Sequence, residues 1–246
     1  MPGLLNFDTP PRIDEEEWID DENQPYEDFR ESMTDVRRAN RFLGGTIVVT
    51  RQARRWLQEA KARNQAAPLT FLDVATGSGD IPEAILKIAR NAGVPAQFIG
   101  LDFSAPILRF AREEVGAYPE IRLVRGDAFC LPLPDKSVDY ALCSLAFHHF
   151  GFERCLLALS EMERVSRRGW LVNDLRRSRS AWHLFRGVSA LARMNRLTRH
   201  DGPASVLRAY SLSEYAKMIS GIHLEPGRNV QIRGSLFYRV ALLREK

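Results

Sequence analysis

The chain has 246 residues, of which 45% are hydrophobic and 27% are charged, and its formal net charge is +4. This composition is that of a soluble globular protein, and no apolar run approaches the roughly 18 residues that a transmembrane helix needs. The acidic N-terminus lacks the basic and apolar regions of a secretory signal. Cys130, Cys143 and Cys155 are odd in number, fall in predicted core segments and lack zinc spacing. They predict buried, reduced thiols in a cytoplasmic protein.

The charges are distributed unevenly along the chain. Residues 1–35 contain twelve acidic residues against Arg12 and Arg30, whereas ten arginines face only Asp174 between Arg164 and Arg199. Such a basic segment is compatible with RNA, an anionic substrate, acidic lipid head groups or the chain's own acidic arm. A solvated arginine-rich face is an equally good interpretation, so the segment does not identify a partner by itself.

Three regions follow from the pattern along the chain. Residues 1–24 are rich in proline and acidic residues, which predicts an extended or poorly ordered arm. Within residues 25–64, helical periodicity predicts helices over Tyr26–Phe42 and Ile47–Ala62. Residues 65–246 then form one domain, in which strands and helices alternate.

This alternation predicts an α/β fold with a doubly wound parallel sheet. The predicted strands are Thr70–Ala75, Gln97–Asp102, Ile121–Arg125, Val138–Ser144 and Gly169–Leu175. The predicted helices are Ile81–Ala92, the segment from Ser104 to Gly116, Glu153–Val165, Ser180–Met194 and the segment from Ser211 to Gly221. Two final strands, Ile222–Arg233 and Ser235–Leu243, predict an antiparallel pair at the C-terminus.

The segment Phe71–Pro82 is the most informative motif, because a predicted strand runs into a glycine turn and then a helix. Gly77 and Gly79 permit unusual backbone angles and allow a ligand to approach the backbone of the helix N-terminus. The next predicted strand ends in Asp102, at about the spacing at which an acid reaches ribose hydroxyls. An ordinary structural turn is the alternative, and Asp102 makes it the weaker one.

Two common phosphate-binding motifs do not fit this turn. Pro82 stands where a dinucleotide site has its third glycine, and no Lys-Ser or Lys-Thr pair follows as in a P-loop. Asp73 and Asp80 surround the turn with negative charge, which suits a cationic ligand better than a diphosphate. The motif therefore favours a nucleoside cofactor without phosphates, such as S-adenosylmethionine (SAM).

Together with Gly126–Asp139 and Ser144–Phe150, these motifs resemble class I SAM-dependent methyltransferases. The resemblance is greatest to the small-molecule group that includes the ubiquinone/menaquinone C-methyltransferases, and it covers about Leu69 to Leu175. Ala75 departs from the family, which more often has glycine there. The resemblance implies a Rossmann-like, seven-stranded sheet, with N-terminal helices as a lid or wall over the substrate.

Residues that leave parallel strands at their C-terminal ends are expected to bind the ligand. By the resemblance, the first turn surrounds the methionine part of SAM, Asp102 binds the ribose, Phe103 and the pair after the third strand contact adenine, and the fourth strand end approaches the sulfonium. The expected cofactor-binding residues are Asp73, Ala75, Thr76, Gly77, Ser78, Gly79, Asp102, Phe103, Asp127, Ala128, Ser144 and Leu145. The expected pocket walls are Phe42, Trp56, Phe147, Phe150 and Trp182.

Methyl transfer is a direct displacement, so alignment supplies much of the acceleration, and a phenol or enol acceptor also needs a general base. His148 and His149 follow the fourth strand and are the first candidates, although only one of the pair is expected to face the site. His200 is a third candidate, in a segment that could close over the substrate. Asp174 and Arg176 could contact substrate or pair with each other, and no metal is expected.

The sequence thus predicts a SAM-dependent methyltransferase for a small phenol, quinol or polyketide-like acceptor. Two alternatives remain open. An RNA methyltransferase is supported only by the arginine-rich segment, and the motif typical of base-amine methylation is absent after the fourth strand. A non-catalytic SAM-binding or assembly subunit would use its acidic arm to dock a partner. The acceptor atom and the oligomeric state are not predicted.

Overall fold

The structure is a computed structural model that describes residues 9–21, 24–42, 44–227, 229–235 and 238–246. Seven strands form a sheet within these residues: β1 (Leu69–Val74), β2 (Ala96–Asp102), β3 (Ile121–Arg125), β4 (Val138–Ser144), β5 (Ser166–Leu175), β6 (Gln231–Ser235) and β7 (Arg239–Glu245). Their order is β3-β2-β1-β4-β5-β7-β6, in which β1 to β5 are parallel and β7 is antiparallel to both neighbours. The predicted doubly wound sheet with a C-terminal antiparallel pair is confirmed.

The direction of the strand order reverses beside β1, which pairs with β2 on one side and β4 on the other. Helices cover both faces, so β1 and β4 are buried over almost their whole length, and their sequences are mostly apolar apart from Asp73 and Asp139. A crevice for a ligand is expected beyond the C-terminal ends of β1 and β4, at this switch point.

Eight helices pack around the sheet in the described part of the chain: α1 (Tyr26–Phe42), α2 (Gly45–Ala62), α3 (Asp80–Ala92), α4 (Ala105–Val115), α5 (Phe152–Val165), α6 (Arg179–Leu191), α7 (Arg196–Arg208) and α8 (Leu212–Ser220). Local caps explain two of the boundaries. The Ser104 hydroxyl accepts a hydrogen bond from the Ile107 N–H at the start of α4, and Ser211 with Glu214 forms the predicted capping box of α8.

Helix α7 was not predicted, because Gly202 and Pro203 interrupt its sequence and its buried residues lie on several faces rather than one stripe. The predicted strand Ile222–Arg233 was wrong over its first part, since β6 begins only at Gln231. Residues 236 and 237 of the last predicted strand lie outside the described residues.

Residues 9–21 of the predicted arm lie against α7, whereas its remaining residues other than Gln24 are outside the described part. The Ile13 N–H donates to the Leu207 carbonyl, and the Arg12 side chain donates to the carbonyl oxygens of Arg208, His148 and Phe150. The described arm is therefore extended but held by defined hydrogen bonds.

Two apolar layers sandwich the sheet. Trp56 of α2 is buried in one of them and stacks on Tyr140 of β4, with ring centroids 3.9 Å apart. Cys143 and Cys155 are buried in the other layer, but Cys130 is exposed, so its predicted burial was wrong. Among the described residues, no helix has the length and apolar character needed to cross a membrane.

We expect Trp56→Ala to lower the free energy of unfolding by about 3–5 kcal/mol, because it leaves a large cavity between α2 and the sheet. Trp56→Phe should cost clearly less, since the buried indole N–H has no hydrogen-bond partner to lose among the described residues. Urea unfolding followed by circular dichroism measures both. Equal losses for the two variants would show that the aromatic stack does not carry the stability.

Candidate active site

A cavity of about 330 Å³ opens at the C-terminal ends of β1, β2, β4 and β5, beneath α1, α6 and α7. Ten predicted site residues line this cleft. Six belong to its first half: Asp73, Ala75, Thr76, Gly77, Ser78 and Asp102. Four belong to its second half: Ser144, Leu145, His148 and His149.

The turn between β1 and α3 builds the first half from left-handed backbone. Ala75, Gly77 and Gly79 have φ values of 54°, 56° and 71°. A Cβ at Gly79 would lie 2.8 Å from a methyl carbon of Val115, so only glycine fits the turn against α4. A left-handed alanine costs roughly 1–2 kcal/mol, which explains why glycine is the commoner residue at position 75.

Asp102 is held at the edge of the turn by backbone donors. Its Oδ2 accepts from the Gly77 N–H at 3.1 Å, and its Oδ1 accepts from the Ser104 N–H at 3.0 Å. Burial raises the pKa of Asp102, although these hydrogen bonds oppose the shift. The carboxylate thus closes the turn and lines the cleft, as a ribose-binding acid would.

Three acids meet in this half of the cleft, of which Asp73 and Asp102 are buried and Asp80 is half-buried. Burial raises the pKa of Asp73 to about 8, against the hydrogen bond that its Oδ2 accepts from the Thr76 hydroxyl at 2.7 Å. Its Oδ1 has no hydrogen-bond partner among the described residues. Burial also raises the pKa of Asp80, which accepts from Ser78 and Asn40. Because buried carboxylates are costly without a compensating charge, this half suits a cationic ligand.

In the second half, Asp174 at the end of β5 fixes the orientation of His148. The carboxylate is fully buried, lies 2.7 Å from His148 Nδ1 and also accepts from the His148 backbone N–H. Burial alone would raise the pKa of Asp174, but the charge of His148 and these hydrogen bonds outweigh it and lower the pKa. With Nδ1 donating to Asp174, Nε2 is the ring atom left to act as a base.

His149 lines the cleft as well, so the expectation that only one histidine faces the site was wrong. Both lie in a short 3₁₀ turn, Phe147–His149, in which the rings pack 4.3 Å apart. Glu17 of the arm faces both, with carboxylate oxygens 3.9 Å from His148 Nε2 and 3.7 Å from His149 Nε2.

These three side chains could hold a metal ion, because their ligand atoms lie within 4.8 Å of one another. Glu17 already accepts from the Ser205 hydroxyl and lies 3.9 Å from the Arg208 guanidinium, whose charge opposes a cation. Sequence reasoning missed Glu17, since no local signal connects the arm to residues after β4.

His200 does not line the cleft. Its ring stacks on Trp18 at 3.7 Å, and its Nδ1 lies 2.8 Å from Asp201. The neighbouring Asp201 lines the cleft instead and accepts from the backbone N–H groups of Trp18 and Ile19. The segment expected to close over the substrate belongs to helix α7, which places Asp201 but not His200 in the cleft lining.

Four other predicted cofactor residues lie outside the cleft lining. Gly79 packs behind the turn, and Phe103 is 70% exposed beside the Arg125 guanidinium. Asp127 accepts from the Phe129 N–H, and Ala128 is buried in the core. The adenine contacts of Phe103, Asp127 and Ala128 stay predictions.

Most of the aromatic residues that were expected to line the pocket do not line it. Trp56 and Phe147 are core residues, Phe42 is 73% exposed, and Trp182 does not line the cleft. Phe150 does line it, together with residues of α1 and α6 that the sequence did not single out: Met33, Val36 and Phe185. The sequence of a helix shows which of its side chains are apolar, but it does not show whether those side chains face the core or the cleft.

The arginine-rich segment is engaged in ion pairs over much of its length. Arg164 pairs with Glu161 and Asp135, and Arg168 with Asp139. Arg177 pairs with Glu214. Arg176, for which a pair with Asp174 was one expectation, lies over the Tyr238 ring. These four arginines therefore have partners within the protein.

Comparison with known proteins agrees with this geometry. A family model described as a methyltransferase domain matches residues 72–172. A demethylmenaquinone methyltransferase of Staphylococcus aureus (strain MRSA252) is 34% identical over 120 residues, which are 49% of this chain and 48% of the relative. The chain therefore spans about half the length of the curated relatives it matches.

Solved structures extend the similarity in fold to most of the chain. The plantazolicin methyltransferase BpumL in complex with SAH has a TM-score of 0.62 at 16% identity, covering 89% of this chain and 90% of that chain. A putative S-adenosyl-L-methionine-dependent methyltransferase from Methanococcus maripaludis has a TM-score of 0.56 at 13% identity, covering 92% and 96%. The predicted Rossmann-like, seven-stranded fold is confirmed.

We expect Asp73→Asn to change how stability depends on pH. The folded-state pKa of Asp73 is about 8, whereas an exposed aspartate has a pKa of about 4, so between these values the unfolded state has lost a proton that the folded state keeps. Wild-type stability should therefore fall with rising pH across this window, by at most about 1.4 kcal/mol per pH unit relative to the variant. Urea unfolding of both proteins from pH 5 to pH 9 measures the difference. A difference independent of pH would contradict the shifted carboxyl.

Proposed function

We propose, from the membership of residues 72–172 in the methyltransferase-domain family, that the chain is a SAM-dependent methyltransferase acting on a small phenolic or quinol-like acceptor. One observation carries the proposal. The glycine turn after β1, with Asp102 at its edge, suits a cationic nucleoside. It opens into the same cleft as His148, whose ring is oriented by the buried carboxylate of Asp174.

The first half of the cleft fits the cofactor. Asp102 would accept the ribose hydroxyls, and the backbone from Ala75 to Ser78 would surround the thioether and methionine part. Asp73 Oδ1 has no hydrogen-bond partner among the described residues. A bound cation would favour the ionised forms of Asp73 and Asp80, which would then compensate its positive charge. SAM, when bound, supplies a methyl group on a positively charged sulfur.

The second half of the cleft supplies the base. Nε2 of His148 would take the proton of an acceptor hydroxyl, which leaves the oxygen, or a ring carbon conjugated to it, as the nucleophile. Asp174 would hold the ring with Nδ1 protonated and offset the charge that the imidazolium gains. Leu145 has a left-handed backbone conformation, and its N–H donates to the Asn173 carbonyl. This conformation sets the direction of the chain between β4 and His148.

An aromatic acceptor suits the apolar roof of the cleft, which includes Met33, Val36, Phe150 and Phe185. The similarity to a demethylmenaquinone methyltransferase over half of the chain supports the same class. The ion pairs of the arginine-rich segment speak against RNA as the acceptor. The buried free thiols of Cys143 and Cys155 agree with a cytoplasmic location.

Asp102→Asn should lower the affinity for SAM by about 10- to 100-fold, because the ribose hydroxyls lose a charged acceptor. Isothermal titration calorimetry measures this, with Glu120→Gln, an exposed residue paired with Arg90, as the control of equal chemistry. Asp127→Asn in the same series tests the predicted adenine contact. No heat from wild-type protein at millimolar SAM would contradict the proposed function.

His148→Gln should lower kcat by about 10²- to 10⁴-fold while leaving the affinity for SAM unchanged, since the variant loses the base but not the cofactor half. Transfer of labelled methyl to a panel of phenols and quinols measures the rate and identifies the methylated atom. His149→Gln is the matched control and should have a smaller effect. Full activity of His148→Gln would reject the general base, and an inactive wild type that binds SAM would favour the non-catalytic subunit.

A further inference from the structure

Arg239 is the first residue of β7, and it lines the cleft opposite the end of β5. Only 5% of the residue is exposed. Its Nε and Nη1 atoms have no hydrogen-bond partner in the part of the chain that the structure describes. The cleft therefore contains a buried guanidinium with two nitrogen atoms that the described residues do not satisfy.

A buried guanidinium that lacks hydrogen-bond acceptors lowers the stability of the protein unless a ligand supplies them. Burial lowers the pKa of Arg239 to about 10, against the charges of Asp174 and Asp80, so the side chain is still a cation at neutral pH. Unpaired buried charges are rare because their desolvation is not repaid. A planar guanidinium fork matches a carboxylate, which can accept two parallel hydrogen bonds from it.

The position of the guanidinium identifies which end of the cleft it serves. Nη2 of Arg239 lies 3.3 Å from the place where a Cβ of Gly45 would be, and Oδ1 of Asn40 lies 3.0 Å from the same point. The Asn40 amide in turn donates to Asp80, directly after the glycine turn. Arg239 thus faces the end of the cleft that contains the buried acids.

We propose that Arg239 binds the α-carboxylate of the cofactor's methionine part. This inference rests on the proposed function. The methionine part carries an ammonium and a carboxylate, and the cleft offers buried acids for the first and one buried arginine for the second. Strand β7 lies outside residues 72–172, so a residue beyond the matched family region would complete the cofactor site.

An acidic group of the acceptor could bind the same guanidinium as the cofactor carboxylate. Two cofactor analogues distinguish these two sources of the anionic group. S-adenosylhomocysteine carries the carboxylate, whereas 5′-methylthioadenosine shares its adenosine and thioether but lacks the amino acid. Calorimetric titration of both into wild type, Arg239→Met and Arg239→Lys compares the carboxylate directly. Arg239→Met removes the guanidinium at similar length, and its melting temperature, measured alongside, shows that the variant is folded.

Arg239→Met should lower the affinity for S-adenosylhomocysteine by about 10- to 100-fold and leave that for 5′-methylthioadenosine unchanged. Arg239→Lys should recover part of the loss, because it keeps the charge without the fork. Equal losses for both ligands would assign Arg239 a structural role, and unchanged S-adenosylhomocysteine affinity would exclude the cofactor carboxylate. Either result overturns the inference while the proposed function stands. Wild-type protein that binds neither ligand overturns both.

Discussion

The buried carboxylates at the ends of β1 and β2 are the constraint on which the rest of the cleft depends. Asp73 and Asp102 are placed by strand geometry, and Asp80 by the helix that must begin after Gly79. Their desolvation is repaid in part by Thr76, Ser78, Asn40 and backbone N–H groups. The remaining cost is removed by a ligand of positive charge, so the fold's stability and its choice of cofactor have the same electrostatic origin.

Helix α7 and the arm give the second half of the cleft its character. The Asp201 carboxylate accepts two backbone hydrogen bonds from the arm, from Trp18 and Ile19. These bonds fix the arm directly after Glu17, whose carboxylate reaches both histidines. Glu17 lies beside Nε2 of His148, and Asp174 lies beside Nδ1. The His148 ring is therefore set between acids from two distant parts of the chain, which the sheet alone would not bring together.

Local signals explain how much of this could be predicted. The bounds of α1, β3 and β4 match the prediction, because glycines and polar turns sharply delimit their apolar runs. The turn after β1, Asp102 and His148 were also expected in the site, because the C-terminal ends of parallel strands meet at one edge of the sheet. Glu17 and Arg239 were not expected. Their place in the cleft depends on how the arm and the last hairpin pack, and no short-range pattern encodes that.

The division between predicted and unpredicted residues has a functional consequence. Within residues 72–172 lie the turn, Asp102 and both histidines, which under the proposed function would serve the cofactor and the proton. The roof from α1, α6 and α7, the arm and Arg239 all lie outside that region. An acceptor in the cleft would meet mainly these outer elements. Proteins that share only the inner region with this chain can therefore share its methyl donor, while the size, polarity and charge of the acceptor are decided by packing that each chain builds separately.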